Sequence, residues 1–213
     1  MGDLNLHPPL LTNTTEEWDG SSWTSGGDMN DSKYIHNSNA GTQTAGLGFG
    51  GYGGGNNTEE YNGTSWSEQN NLTNGKPDMA GFGTQTAAVG YGGTSPNFAH
   101  AETEEYDGTS WAASNDMNQI NRRMGGAGIQ TNGITFGGLI ASGSVTNKSE
   151  NYDGTSWTVF PTMGTGRYYL GAHGAAVTST MAIGGLTTGS ASSFTNITEE
   201  FSGTVTLKTV TDS

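Results

Sequence analysis

Four histidines, His7, His36, His100 and His173, are the side chains of this chain best suited to proton transfer or metal ligation, because imidazole titrates near neutrality and binds metals through either nitrogen. They lie more than 25 residues apart and at different phases of the repeat described below, so no metal-ligand spacing is present. Cysteine is absent, which removes thiolate nucleophiles, disulfides and cysteine-ligated metals. Acidic residues outnumber basic ones 20 to 7, but eight of the eleven glutamates recur as Glu-Glu pairs. A glycosidase needs one pair of carboxylates, not a pair in every repeat, so these read as a solvated, solubilising rim. No Ser-His-Asp order, phosphate-cradling loop or EF-hand pattern appears. Asp19, Asp107 and Asp153 read as turn formers rather than calcium ligands. The expectation is a non-enzyme, with no catalytic residue, no cofactor and no metal.

Composition narrows the partners. The formal charge of −13 would repel a phosphate backbone, so nucleic acid is not expected as a partner. Met1 to Leu11 holds Leu4, Leu6, Leu10 and Leu11, but Asp3, His7, Pro8 and Pro9 interrupt it, so neither a signal peptide nor membrane insertion is expected. Glycine fills 36 of 213 positions and hydrophobic residues only 31%, which argues against a helical bundle. Disorder is countered by 5 Trp, 8 Tyr and 7 Phe at regular positions.

Those positions are a repeat. Glu16-Glu17-Trp18-Asp19-Gly20-Ser21-Ser22-Trp23 returns as Glu59 to Trp66, Glu104 to Trp111 and Glu150 to Trp157, and in decayed form as Glu199 to Thr204. The first aromatic recurs at 18, 61, 106, 152 and 201, in steps of 43, 45, 46 and 49 residues, the period of a propeller blade. Six residues after each Trp stands Met29, Leu72, Met117 or Met163; ten or eleven after it stands Lys33, Lys76, Arg122 or Arg167. Each unit then runs through small residues into a glycine pair: Gly50-Gly51, Gly92-Gly93, Gly137-Gly138 and Gly184-Gly185.

In this order of cation, small-residue strands, glycine pair, Tyr and Trp, residues 14 to 204 resemble the Kelch family. The resemblance implies an all-β propeller of four four-stranded blades, or five with one irregular, over residues 14–213 after an N-terminal arm at 1–13. The Glu-Glu-Tyr-Asp-Gly-Thr-Ser-Trp form is similar to repeats in structural proteins of marine tailed bacteriophages, especially those infecting cyanobacteria. That implies a virion protein on the particle surface or tail, with other virion proteins, copies of itself and a host cell-surface glycan as partners. A free lectin-like module and a propeller glycoside hydrolase are the alternatives. Sialidase Asp boxes do not fit, because there one residue separates Asp and Gly. Galactose-oxidase-like copper chemistry is excluded by the lack of cysteine.

Several local expectations follow. The small-residue strands should lie innermost, near a crowded axis; His173 falls among them. Asp107-Gly108 should centre a two-residue hairpin turn, pairing Tyr106 with Thr109, Glu105 with Ser110 and Glu104 with Trp111. Tyr61, Tyr106, Tyr152 and Trp66, Trp111, Trp157 should pack between blades. Five aromatic hairpins face four glycine-pair hairpins, so one outer hairpin is spare. Either Trp18 to Trp23 completes the blade begun by Met181 to Gly185, or the C-terminal segment does and the N-terminal hairpin pairs elsewhere. In the first case Val205, Leu207 and Val210, on an alternating strand, would need an adjacent subunit. Between the second Gly and the next aromatic stand 9, 12, 13 and 15 residues; this variable loop, with Ser95, Asn97, Phe98, Ser192 and Phe194, is the expected binding surface.

Overall fold

The structure, a computed structural model, describes residues 11–95, 98–188, 193–202 and 206–210, the last five and Ser202 by backbone alone. A hairpin comes first, β1 (Glu16–Trp18) and β2 (Trp23–Ser25). The first blade is β3 (Asn39–Thr42), β4 (Ala45–Phe49), β5 (Thr58–Tyr61) and β6 (Trp66–Gln69). The second is β7 (Ala80–Thr84) and β8 (Ala87–Tyr91), a loop hairpin β9 (Thr94–Ser95) with β10 (Phe98–Ala99), then β11 (Thr103–Tyr106) and β12 (Trp111–Ser114). In the third, β13 (Asn121–Arg122) precedes β14 (Gly125–Ile129) and β15 (Asn132–Phe136); β16 (Leu139–Ile140) returns to pair with β13, and β17 (Ser149–Tyr152) and β18 (Trp157–Phe160) finish the sheet. The fourth is β19 (Gly171–His173), β20 (Ser179–Ile183), β21 (Thr198–Ser202) and β22 (Thr206–Val210). Each sheet is an antiparallel meander in chain order, and together they make a four-bladed β-propeller.

The glycine pairs behave as their composition requires. Gly50 and Gly51 have φ of 60° and 86°, in the left-handed region, and the other three pairs repeat this. The N–H of Gly51, Gly93 and Gly138 donates to the carbonyl of Lys76, Asn121 and Arg167 in the next unit. The residue ten after Trp111 is therefore Asn121, and the cation of this unit, Arg122, stands one place beyond. Asn121 is buried and its Nδ2 donates to Gly137 O, as the Arg167 guanidinium does to Gly184 O.

One hairpin expectation needs correction. Tyr106 pairs with Trp111, Glu105 with Ala112 and Glu104 with Ala113, so the turn is centred one residue later than Asp107-Gly108. The cause is the Asp107 side chain, which accepts the N–H groups of Thr109 and Ser110 at 2.8 Å and draws both residues into the connection. These two N–H groups also hold its carboxyl below the usual carboxylate range. Closure follows the second of the two expected alternatives. β22 pairs with β21, setting Leu207 opposite Phe201 and Val210 opposite Thr198, so the C-terminal strand completes the fourth blade. Among the described residues the N-terminal hairpin is a two-stranded sheet of its own. A strand adjacent in the chain closes a far shorter loop than one from the other terminus. Leu207 and Val210 thus lie in a strand already partnered within the chain, which removes the premise for an assembly strand; Val205 lies outside the described residues.

Neighbouring blades meet through one repeated set of contacts. Trp111 Nε1 donates to Thr58 Oγ1 at 2.9 Å and Tyr106 OH to Glu60 at 2.9 Å. One blade on, Trp157 Nε1 donates to Thr103 Oγ1 at 3.0 Å and Tyr152 OH to Glu105 at 2.6 Å. Burial first, and then the facing carboxylate, push both tyrosine pKa values up, so the phenols remain donors. The N-terminal hairpin meets the first blade the same way, through Trp66 Nε1 to Thr15 Oγ1 at 2.8 Å and Tyr61 OH to Glu17. At the last interface the donor side has changed: Phe201 has no hydroxyl, and the acceptor position opposite it holds Asn151, whose Nδ2 turns to Gly133 O. Further in, aromatic rings fill glycine notches. A Cβ on Gly81 would come within 2.4 Å of the Phe49 ring and one on Gly133 within 2.1 Å of Phe82. Where such a ring also meets another, as Phe49 meets Trp111 with centres 4.8 Å apart, the pair contributes about 0.5–1.5 kcal/mol beyond area burial.

The glutamate pairs are not a solvated rim. Glu59, Glu104, Glu150 and Glu199, the glutamate that opens the motif in each of the four blades, are buried, and only Glu16 of the N-terminal hairpin is exposed at that phase. Glu104 accepts the N–H groups of Thr73 and Asn74, Glu150 those of Asn118 and Gln119, and Glu199 those of Gly164 and Thr165. Each carboxylate thereby pins the connection that enters its own blade, and Lys33 and Arg167 add ion pairs to Glu59 and Glu199 at 2.8 and 3.0 Å. Alternation along a strand sets the second glutamate on the opposite face, toward the next blade's tyrosine. Met29, Leu72, Met117 and Met163 are buried core residues, as their phase predicts.

Candidate functional site

In an antiparallel blade the first strand begins at the end where the second finishes. The loops of varying length therefore share one face of the propeller with the lead-in segments of the innermost strands. Direct pairing ties them together: Tyr34 bridges Tyr52, Arg122 pairs with Leu139, and Tyr168 bridges Leu186.

The centre of this face is a polar cluster drawn from all four units. Asp78, Arg123 and Tyr169 each stand twelve residues after a repeat Trp and all have left-handed φ, 59°, 60° and 53°. That region is sterically poor for arginine and tyrosine and persists only where the surroundings enforce it. They are joined in a chain, with Arg123 N donating to Asp78 O at 3.0 Å and Tyr169 N to Arg123 O at 3.1 Å. Arg123 Nε pairs with the Asp78 carboxylate at 2.9 Å, and the guanidinium lies 4.6 Å from the centre of the Tyr169 ring. Tyr169 meets His36 edge to face at 4.7 Å, and the neighbouring Asn37 Nδ2 donates to Met124 O and Leu170 O, binding the first unit to the third and fourth. Burial lowers the His36 pKa to about 4, so the ring is neutral at pH 7. Burial and then Asp78 push the Tyr169 hydroxyl up. The positive and negative charges cancel within the cluster, leaving a neutral, hydrogen-bonding floor.

Around this floor the loops carry the exposed aromatics Tyr34, Tyr52, Phe98 and Phe194, which are 42, 50, 67 and 76% accessible. Phe98 lies on β10 and pairs with Ser95. His100 supports that hairpin, with Nδ1 on Glu102 and Nε2 on Ser95 O. Phe194 bridges Leu186 on the fourth blade. Asn97 and Ser192 lie outside the described residues. The expected loop residues Ser95, Phe98 and Phe194 are thus on one face, but the cluster they surround escaped the sequence reading. Its signal was a fixed repeat phase, twelve after Trp, at which residue type varies through Ile35, Asp78, Arg123 and Tyr169.

At the other end of the axis the innermost strands leave an open cavity of about 230 Å³, lined by Gly41, Gly83, Gly128, Ala172 and His173 among others. Small residues dominate there because four strands converge. Among the described residues no three His, Asp or Glu side chains converge as a metal site would require, and no helix is long and apolar enough to cross a membrane.

No protein-family model matches this chain, and no curated protein matches it.

Proposed function

We propose that this chain is a non-catalytic structural protein of a tailed-phage virion, a Kelch-like propeller on the particle surface or tail that meets a host-surface glycan with its loop face. The virion location rests on the repeat's resemblance to phage structural proteins. The observation that supports the binding face is the set of four exposed aromatics around a charge-balanced polar floor. Exposed aromatic rings stack on the apolar faces of sugars, and neutral donors and acceptors recognise hydroxyls without the desolvation cost of an unpaired charge. The net charge of −13 disfavours phosphate-rich ligands on this surface. A tethered virion protein and a free lectin-like module would share this face, so location separates them.

Two measurements test the proposal. Mass spectrometry of gradient-purified particles should find the chain as a stoichiometric component. On a glycan array the isolated protein should bind, and Phe98→Ala with Phe194→Ala should lose that binding while keeping the wild-type circular dichroism spectrum. Absence from intact particles refutes the virion assignment; retained glycan binding by the folded double variant refutes the face.

A further inference from the structure

The N-terminal hairpin is half of a blade. β5, β11, β17 and β21 are each hydrogen-bonded on both edges, whereas among the described residues β1 pairs only with β2 and no strand pairs its inner edge. Beside that edge lies a cavity of about 310 Å³, lined by Glu16 and Glu17 on the hairpin and by Ile35, Ala40, Leu47 and Trp66 on the first blade. In the next interface the same place is filled. Phe49, on the second strand of the first blade, stands 4.8 Å from the Trp111 ring and over Gly81 and Gly90, and Trp111 is buried. Tyr91 does the same for Trp157, with ring centres 4.9 Å apart. Trp66 keeps its hydrogen bond to Thr15 but is only half-buried, and among the described residues no ring or chain from the hairpin side covers it as Phe49 covers Trp111.

We infer that the free edge of β1 and this cavity are a strand-acceptor site whose occupant is the chain's own segment Asp3-Leu4-Asn5-Leu6-His7, which lies outside the described residues. Repeat phase identifies it. Asn13 Nδ2 donates to Met29 O as Asn56 does to Leu72 O and Asn147 to Met163 O, and the main-chain bonds from Met29, Leu72 and Met163 return to Asn13, Asn56 and Asn147. Asn13 thus corresponds to Asn56, and counting back seven places from each sets Leu6 at the position of Phe49 and Leu4 at that of Leu47. Leu4 and Leu6 alternate with Asp3, Asn5 and His7, the pattern of a strand with one buried face. The tether is the right length: Phe49 and Thr58 are separated by eight residues, as are Leu6 and Thr15. Thr12 O and Asn13 O already accept from Lys33 and Met29, so the segment's C-terminal end is anchored on the face where a second strand finishes. Addition of this strand would satisfy the open edge of β1 and set Leu6 beside Trp66 and over Gly48 and Asn39, the equivalents of Gly90 and Gly81 in the next blade.

The absence of cysteine makes the test clean. By the register of β4 on β5, where Gly48 faces Glu59, Asn5 should face Glu16. The full chain carrying Asn5→Cys and Glu16→Cys should form an intramolecular disulfide under mild oxidation, while Asn5→Cys with Glu17→Cys should not. Failure of the first pair to bridge, or equal bridging by both, overturns the inference. A bridge found only between two chains shows that a second copy supplies the strand and overturns the choice of occupant. As a readout independent of cysteine, Leu6→Phe should raise the melting temperature and Leu6→Asp should lower it by several degrees; a chain indifferent to both refutes the packing of Leu6. Neither result depends on glycan binding or on presence in a particle.

Discussion

The interface pair formed by Tyr106 and Glu60 is open to a direct energetic test, because the chain contains its own control. Tyr106 is fully buried and its hydroxyl donates to the Glu60 carboxylate at 2.9 Å, whereas the last interface sets Phe201 against Asn151. Hydrogen bonds to charged groups contribute about 1.5–3 kcal/mol, and because Glu60 is half-exposed, water can resolvate it once the donor is gone. Tyr106→Phe should therefore cost about 1.5 kcal/mol, at the lower end of that range. For a chain of this length that is a fall of about 3–6 °C in melting temperature. Glu60→Asn should cost at least as much, since it strands a buried phenol. The double variant recreates the pairing seen in the last interface, so its cost should be less than the sum, with a coupling of about 1 kcal/mol or more. Urea unfolding at pH 7 followed by near-ultraviolet circular dichroism reads all four corners of the cycle. Costs that simply add, within about 0.3–0.5 kcal/mol, would refute the contact as an energetic link and leave Tyr106 as a packing residue only.

Three further outcomes follow from the same geometry. Trp111→Phe removes the bond to the buried Thr58 hydroxyl and should cost about 1–3 kcal/mol, while Trp23→Phe, at a ring 65% exposed, should change the unfolding free energy from urea titration by less than about 0.5 kcal/mol. Arg167→Met strands the buried Glu199 carboxylate and should cost about 3–5 kcal/mol by denaturant titration; a loss near zero would mean that the N–H groups of Gly164 and Thr165 suffice to hold it. His36 titrates at about 4 when folded and near 6.5 when unfolded. Its contribution to stability is therefore complete above pH 6.5 and declines as the pH falls toward 4, by at most about 3 kcal/mol. His36→Phe should flatten the urea midpoint across that window relative to wild type, and an unchanged slope would place the titration elsewhere.

The repeat was legible in the sequence, and with it the blades, the buried Met and Leu positions, the left-handed glycine pairs and the Tyr and Trp rings between blades. These features are local: alternation, period and the φ that only glycine adopts readily are written in neighbouring residues. Asp107 shows where locality misleads, because the Asp-Gly pair suggested one turn centre while its side chain, bonding two residues ahead, set another. What only the tertiary structure decided comes from residues far apart in the chain. Whether Glu104 is solvated depends on the N–H groups of Thr73 and Asn74, some thirty residues earlier, and the cluster of His36, Asp78, Arg123 and Tyr169 is assembled from four successive units. Closure was likewise outside the repeat's reach, since five similar outer hairpins carry the same local pattern. Chain proximity gave the fourth blade to β22, leaving β1 with an edge that no described strand pairs and that no property of its own residues announces.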